Sequence, residues 1–184
     1  MSDFPSLLGG LFGAPEVDAV FTDTARLQAM LDVEAALARA QVRCAVIPPA
    51  ALSAIEAACR ADLYAVPALG QATLLAGNPA IPLVKALTAQ VRHADADAAR
   101  WVHWGATSQD IIDTGAVLQL REAVGLVQER LHVLCTALAV LADAERDTGL
   151  PGRTLLQQAV PGAFGLKAAG WLDALHRSQR GLQP

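Results

Sequence analysis

A short polar run between two regular segments carries the side chains best suited to chemistry. Gly105 introduces a turn, and Thr107, Ser108, Gln109 and Asp110 follow it at the start of a long periodic segment. Thr and Ser cap helices because their oxygens accept hydrogen bonds from free N–H groups of the first turn. Those N–H groups and the positive end of the helix dipole also bind anions. The run therefore indicates either a carboxylate or phosphate site or an ordinary helix start, and these residues alone fit both.

The composition indicates packed helices. Of the 184 residues, 53% are hydrophobic and only 4% are aromatic, and Ala and Leu carry most of the apolar content. Residues that favour strands, the β-branched ones, are sparse. The net charge is -4, from 14 basic and 18 acidic residues that are interspersed along the chain. Without a basic cluster, neither nucleic acid nor a membrane surface is expected as a partner.

Other patterns exclude further classes of protein. No phosphate loop, dinucleotide fingerprint or metal-ligand spacing occurs, so neither a metal nor a cofactor is expected. The three cysteines are far apart, which is typical of reduced, buried thiols in a cytosolic protein. The apolar stretch from Phe4 to Ala14 has no basic region and is predicted to be a packed loop, not a signal peptide. No uninterrupted apolar run approaches the ~18 residues of a membrane span.

Apolar periodicity predicts the helices that must position the polar run. They are expected over residues 24–46, 49–61, 69–77, 81–93, 109–147 and 162–180, with a short extended or irregular segment over 153–160. Asn78 before Pro79 indicates a turn, although its amide could instead face a ligand. The turn at 149–152 predicts that the last helix returns antiparallel to the long one.

Glu34 lies close to the apolar face of the first long predicted helix. The favoured interpretation is a charge that is partly exposed or paired with a neighbouring helix. The alternative is a buried carboxylate that orders an active-site region.

The segment after Asp110 has the most regular pattern in the chain. Apolar residues recur at alternating spacings of 3 and 4, which indicates a helix about 60 Å long that packs in a bundle. They are Val117, Leu120, Val124, Val127, Leu131, Leu134, Leu138 and Leu141. Its other faces are also apolar, so more than one partner is expected. Continued backwards, the stripe meets Asp113 and Asp110, which would line a polar pocket or complement the helix dipole.

Two segments resemble the first two signature segments of the fumarase/aspartase, or fumarate lyase, superfamily. They are GATSQDIIDT at 105–114 and GRTLLQQAVP at 152–161, the second followed by FGLK at 164–167. Residues 21–37 resemble the N-terminal helix of the superfamily, so the likeness covers nearly the whole chain. Within the superfamily, WGATSQD, AGNP with IPLV, and RTLLQQ are similar to the bacterial cycloisomerases that lactonise 3-carboxy-cis,cis-muconate.

The resemblance implies an all-α fold of the L-aspartase type. A small N-terminal helical domain is expected over residues 1–105, and the first long helices of a central bundle over 106–184. The third signature, a Gly-Ser loop followed by Met-Pro-x-Lys, is absent, because Met occurs only at positions 1 and 30. That loop carries the serine base, so the chain is expected to be the N-terminal portion of a longer enzyme and inactive alone.

Two positions depart from the lyases of the superfamily. Leu155 stands where adenylosuccinate and argininosuccinate lyases have a His, and Asn78 stands where adenylosuccinate lyases have another. A lyase that protonates an amine leaving group needs such an acid, whereas a cycloisomerase releases no leaving group. Two alternatives stay open: an adenylosuccinate-lyase-like C–N lyase, and a non-catalytic helical fragment that only oligomerises.

The implied reaction adds one substrate carboxylate to the diene while charge develops on another carboxylate. The residues implied to bind the substrate are Asn78, Thr107, Ser108, Gln109, Arg153, Thr154, Gln157 and Gln158. His103 is the nearest candidate for proton transfer, and the alternative is a His bonded to backbone beneath the tryptophans. The implied partners are a small tricarboxylate and further copies of the chain in a cytoplasmic homotetramer, in which three subunits supply the three signatures.

Overall fold

A computed structural model describes residues 9–182, and helices make up most of them. The α-helices are α1 Gly9–Phe12, α2 Pro15–Val20, α3 Asp23–Arg43, α4 Leu52–Ala58, α5 Val66–Ala76, α6 Ala80–Ala94, α7 Ser108–Ala144 and α8 Phe164–Gly181. Single 3-10 turns occupy Pro49–Ala51, Ala61–Leu63 and Ala98–Trp101. The predicted all-α class is confirmed.

The chain divides into two compact units, Met1–Ala123 and Val124–Pro184. Helix α7 contributes residues to both. The predicted domain boundary near residue 105 stays a prediction. The core of the first unit comes from α3, α4, α6 and the first turns of α7. Its most buried large side chains include Leu31, Ile55, Leu83, Leu87 and Ile111, each at most 2% exposed.

Local chemistry explains where the two main helices of this core begin. The side chain of Thr22 accepts a hydrogen bond from the N–H of Ala25 at 3.2 Å, so it caps α3. Pro82 lies in the first turn of α6, where its missing N–H costs no helical hydrogen bond. Gly77 ends α5 in the left-handed region, with φ of 66°.

The second unit contains the end of α7, two small antiparallel sheets and α8. Strand β1, Gly149–Leu150, pairs with β4, Gly162–Ala163, and strand β2, Arg153–Thr154, pairs with β3, Gln157–Gln158. The amide of Gln128 donates to the carbonyl of Leu182 at 2.8 Å, while Gly165 packs against the backbone of Ala142. Helix α8 therefore returns antiparallel to α7, as predicted.

The apolar stripe of α7 forms a helix as predicted, but much of it is exposed within this chain. Val117, Leu120, Val127 and Leu134 are between 38% and 60% exposed. By length and mean hydropathy, α7 is also the one helix among the described residues that could cross a membrane. That is weak evidence for a span, because the core helix of a soluble bundle has the same length and composition. The charges of Glu129 and Arg130 within α7 favour the bundle.

Several sequence predictions need correction. The stretch from Phe4 to Ala14 was expected to be a packed loop, but Gly9–Phe12 is helical and Phe12 is 83% exposed. The part before Gly9 lies outside the described residues. The helix expected over 49–61 is a 3-10 turn followed by α4, which ends at Ala58. Cys59 and Cys135 are buried free thiols as expected, whereas Cys44 is exposed.

The core predicts a large difference between two leucine substitutions. Leu87 is 0% exposed and Leu75 is 93% exposed. We expect Leu87→Ala to lower the free energy of unfolding of this chain by about 2 to 5 kcal/mol, because it leaves a cavity in the core. Leu75→Ala is the matched control and should change it by about 0.5 kcal/mol or less. Urea denaturation followed by circular dichroism measures both, and equal effects of the two substitutions would contradict this core.

Candidate active site

A cavity of about 350 Å³ opens beside the start of α7 in the first unit. Helix α6 and the loop that leads into α7 form its walls. Its lining residues are Ala80, Ile81, Val84, Lys85, His103, Ala106, Thr107 and Ser108. Three of the predicted site residues, His103, Thr107 and Ser108, are thus brought together. The volume is that of a pocket for a small molecule.

A buried carboxylate holds His103 in this wall. Glu34 is 2% exposed, and its Oε1 lies 2.6 Å from Nδ1 of His103, whose side chain is 17% exposed. The favoured interpretation of Glu34, a charge that is partly exposed or paired with a neighbouring helix, is therefore wrong, because the side chain is buried and its partner lies in a loop. The burial is that of the alternative interpretation, a buried carboxylate, and its ordering of an active-site region stays a prediction. The alternative for His103, a bond to backbone, is also wrong, because its partner is a carboxylate.

Helix α3 fixes the loop at a second point. The amide of Gln41, seven residues after Glu34, donates to the backbone carbonyl of Trp104 at 2.5 Å. Residues seven apart lie two turns along one face of a helix, so one face of α3 holds two consecutive loop residues. His103 and Gly105 both have positive φ, 57° and 70°. A non-glycine residue in this region is strained, and the bond to Glu34 offsets that strain.

Burial and the pairing with His103 shift the pKa of Glu34 in opposite directions. Desolvation raises the pKa of this carboxyl above its usual value of 4.5, and the hydrogen bond and charge of His103 lower it in part. When Glu34 is ionised, Nδ1 of His103 must be the donor of the 2.6 Å bond. In the neutral form of the ring, the other nitrogen, Nε2, then carries the lone pair.

The start of α7 is capped by one of its own acids. The backbone N–H of Thr107 donates to the Asp110 carboxylate at 2.9 Å, which is half of a capping box. The amide of Gln109 donates to the Asp113 carboxylate at 2.6 Å. Asp110 therefore complements the helix dipole, as one of the two sequence interpretations held, and neither acid lines the cavity. This leaves the side chains of Thr107 and Ser108 as the polar groups that α7 offers to a ligand.

Asn78 has a local role at the other helix. Its Oδ1 accepts a hydrogen bond from the N–H of Ala80 at 2.8 Å, which forms the predicted turn before α6. Asn78 supports the helix that lines the cavity but is not itself a lining residue.

The second signature segment lies in the second unit as a short hairpin. Arg153 pairs with Gln158, Thr154 pairs with Gln157, and all four residues are exposed. The hydroxyl of Thr154 donates to the carbonyl of Gln157 at 3.4 Å. At the tip, Leu156 has a φ of 60° and is 98% exposed. The hairpin presents polar side chains on a constrained turn, and the structure gives them partners only within the hairpin among the described residues.

Five of the eight lining residues were not predicted as site residues, and Lys85 is the only charged one among those five. The helix that contains Lys85 was predicted, but nothing in the local sequence indicates that a cavity lies beside it. Cys59, a candidate nucleophile by type, is excluded, since burial raises the pKa of its thiol to about 12.

Comparison with known proteins gives one consistent result. A family model described as lyase matches residues 12–184. The 3-carboxy-cis,cis-muconate cycloisomerase of Pseudomonas aeruginosa is 53% identical over 100% of this chain and 40% of its own length. A crystal structure of 3-carboxy-cis,cis-muconate lactonizing enzyme from Pseudomonas putida has a TM-score of 0.94 at 49% identity, over 97% of this chain and 41% of that chain. The adenylosuccinate lyase of Methanothermobacter thermautotrophicus is 37% identical over 90% of this chain and 36% of its own length. The chain thus spans about 40% of the cycloisomerase that it matches.

The buried Glu34 predicts a pH dependence of stability. Because its pKa is raised in the folded chain, the folded state keeps a proton that the unfolded state loses above pH 4.5. The stabilisation that Glu34 gives is therefore complete below pH 4.5 and is lost as the pH rises through the folded pKa. Glu34→Gln removes this dependence. The difference in unfolding free energy, wild type minus variant, should fall with rising pH, by at most about 1.4 kcal/mol per pH unit.

Urea denaturation of this chain between pH 4 and pH 8 measures that difference. Glu56→Gln is the control, because it removes a carboxylate from α4, another helix of the first unit. Unlike Glu34, Glu56 is partly exposed and pairs with Arg39 at the surface. Its difference from the wild type should not fall as the pH rises. A difference for Glu34→Gln that stays constant across this range would contradict the raised pKa.

Proposed function

This chain belongs to the lyase family of the fumarate lyase superfamily, and on that premise we propose that it is the N-terminal portion of a 3-carboxy-cis,cis-muconate cycloisomerase. The family predicted from the two signature segments is confirmed. The observation that carries the proposal is the high identity to named cycloisomerases along the whole chain. The grouping of His103, Thr107 and Ser108 around one cavity supports it.

In the proposed reaction, one carboxylate oxygen of the substrate bonds to a carbon of the diene. The electron pair moves onto another carboxylate as an enediolate, and a proton then adds to the neighbouring carbon, which gives the lactone. No atom is lost, so no leaving group needs an acid. The hydroxyls of Thr107 and Ser108 hydrogen-bond the carboxylate on which charge develops. This explains why Leu155 and Asn78 can replace the histidines of the C–N lyases.

His103 serves this site as a proton-transfer group. Its Nδ1 is bonded to the buried Glu34, and its side chain lines the same cavity as Ser108. A carboxylate bonded to Nδ1 fixes the tautomer and the orientation of the imidazole. Glu34 is therefore a positioning residue that acts through His103. The serine of the third signature, which this chain lacks, is the second proton-transfer group of the complete enzyme.

Arg153 and its hairpin bind a further carboxylate of the substrate. A guanidinium forms two parallel hydrogen bonds with a carboxylate, which a single hydroxyl cannot do. Thr154, Gln157 and Gln158 add hydrogen bonds from the same hairpin. By the resemblance, these residues meet the start of α7 of a different subunit.

The complete enzyme is proposed to be a cytoplasmic homotetramer without metal or cofactor. The exposed apolar stripe of α7 supports assembly, because side chains such as Val117 and Leu134 need a partner to leave water. Members of the superfamily are homo-oligomers that act on small carboxylic substrates. Bacterial metabolic relatives and the charges within α7 favour a protein outside the membrane. The substrate is a small tricarboxylate.

A complementation experiment tests this function. We expect the chain of 184 residues to show no lactonisation of 3-carboxy-cis,cis-muconate by itself, because the third signature is missing. Mixed with the remaining C-terminal portion, or continuous with it, it should convert the substrate, followed by loss of its ultraviolet absorbance. Activity of the chain alone would contradict the fragment proposal. A complete protein that cleaves adenylosuccinate and leaves the muconate unchanged would favour the C–N lyase instead, and one inert to both would favour an oligomerising fragment.

Two substitutions in the complete enzyme test the proposed binding residues. Ser108→Ala and Arg153→Ala should each raise KM about tenfold or more, because each removes a hydrogen bond to a charged carboxylate. The melting temperature should change little, since both side chains are at least partly exposed in this chain. Ser53→Ala, on α4, is a matched serine control and should leave both quantities unchanged. A lower melting temperature with unchanged KM would mean that Ser108 or Arg153 is only structural.

A further inference from the structure

One face of α6 turns a lysine toward the cavity. Ala80, Ile81, Val84 and Lys85 line it, and these positions form one stripe along the first turns of the helix. Leu83 and Leu87, which lie on the side of the helix away from Lys85, are buried in the core. The core therefore fixes the rotation of α6 about its axis, and this rotation directs Lys85 to the cavity.

Lys85 is the fixed positive charge of the cavity. Among the described residues that line it, Lys85 is the only Lys or Arg, and none is Asp or Glu. It forms no ion pair with another residue in the part of the chain that the structure describes. The positive end of α7 is already complemented by Asp110, which bonds to the Thr107 N–H. An anion in the cavity therefore finds its main electrostatic attraction at Lys85.

We propose that Lys85 is a specificity-determining residue that binds one carboxylate of the substrate. The inference rests on the proposed function, which gives the substrate three carboxylates. Thr107 and Ser108 bind the carboxylate on which charge develops, and Arg153 binds a second. Lys85 binds the third, on the α6 side of the cavity, by a charge-assisted hydrogen bond. Selectivity for tricarboxylates over dicarboxylates follows, because a dicarboxylate leaves this ammonium group without a partner.

Binding of two unreactive probes to the complete enzyme tests the proposal. Propane-1,2,3-tricarboxylate and glutarate share a carbon chain and differ by the central carboxylate. The wild type should bind the tricarboxylate at least about tenfold more tightly by calorimetry. Lys85→Met should reduce this preference to about twofold or less, and Lys85→Arg should retain most of it. Arg92→Met is the matched control, because this substitution also removes one positive charge from α6. Arg92 is exposed and does not line the cavity.

The outcomes separate this inference from the proposed function. A wild type that lactonises the muconate, with a tricarboxylate preference that Lys85→Met leaves intact, overturns the role of Lys85 alone. Equal loss of affinity for both probes also overturns it, because the lysine would then give only general attraction. If the wild type does not lactonise but its tricarboxylate preference depends on Lys85, the proposed function fails and the inference stands. Loss of the preference in Arg92→Met as well would overturn the assignment to this residue.

Discussion

The hydrogen bond between Glu34 and His103 is the constraint on which the rest of the candidate site depends. It joins α3 to a loop 69 residues later in the chain, at a distance of 2.6 Å. Removing a carboxylate from water is costly, and the bond to the imidazole offsets only part of that cost. The surrounding core, with Leu31 and Leu87 fully buried, has to supply the remainder. The bond holds His103, whose backbone is left-handed, beside the start of α7, where the cavity makes it accessible to a ligand.

Three elements of the first unit form or support the cavity, and each has a different role. Helix α3 holds the loop from behind, helix α6 provides an apolar wall with one charge, and the start of α7 provides hydroxyls. The hairpin of the second signature stands in the other unit with its polar groups exposed. Large apolar side chains are exposed at the hairpin tip and along α7, and exposed apolar patches often mark protein–protein contacts. The chain's own surface therefore supports the proposed assembly of several subunits.

The sequence allowed the helical class, the heptad stripe and the antiparallel return of α8 to be predicted, because these depend on local periodicity and turn chemistry. The grouping of His103 with Thr107 and Ser108 followed from their closeness in sequence. The partner of His103 was missed, because Glu34 is distant in the chain and its burial depends on how α3 packs. Lys85 was missed for the same reason, because only tertiary packing forms a cavity beside α6. The prediction of a packed loop near the N-terminus was wrong for a different reason. The stretch that contains the helix Gly9–Phe12 is rich in Gly and has little local signal for any regular structure.

The most direct measurement of the central claim is a crystal structure of the complete enzyme with propane-1,2,3-tricarboxylate bound. We expect a ligand in the cavity beside α7, with one carboxylate within hydrogen-bond distance of the Thr107 or Ser108 hydroxyl. We also expect the bond between Glu34 and His103 to be retained in that complex. A ligand bound elsewhere, while this cavity stays filled with water, would mean that the cavity is not the substrate site.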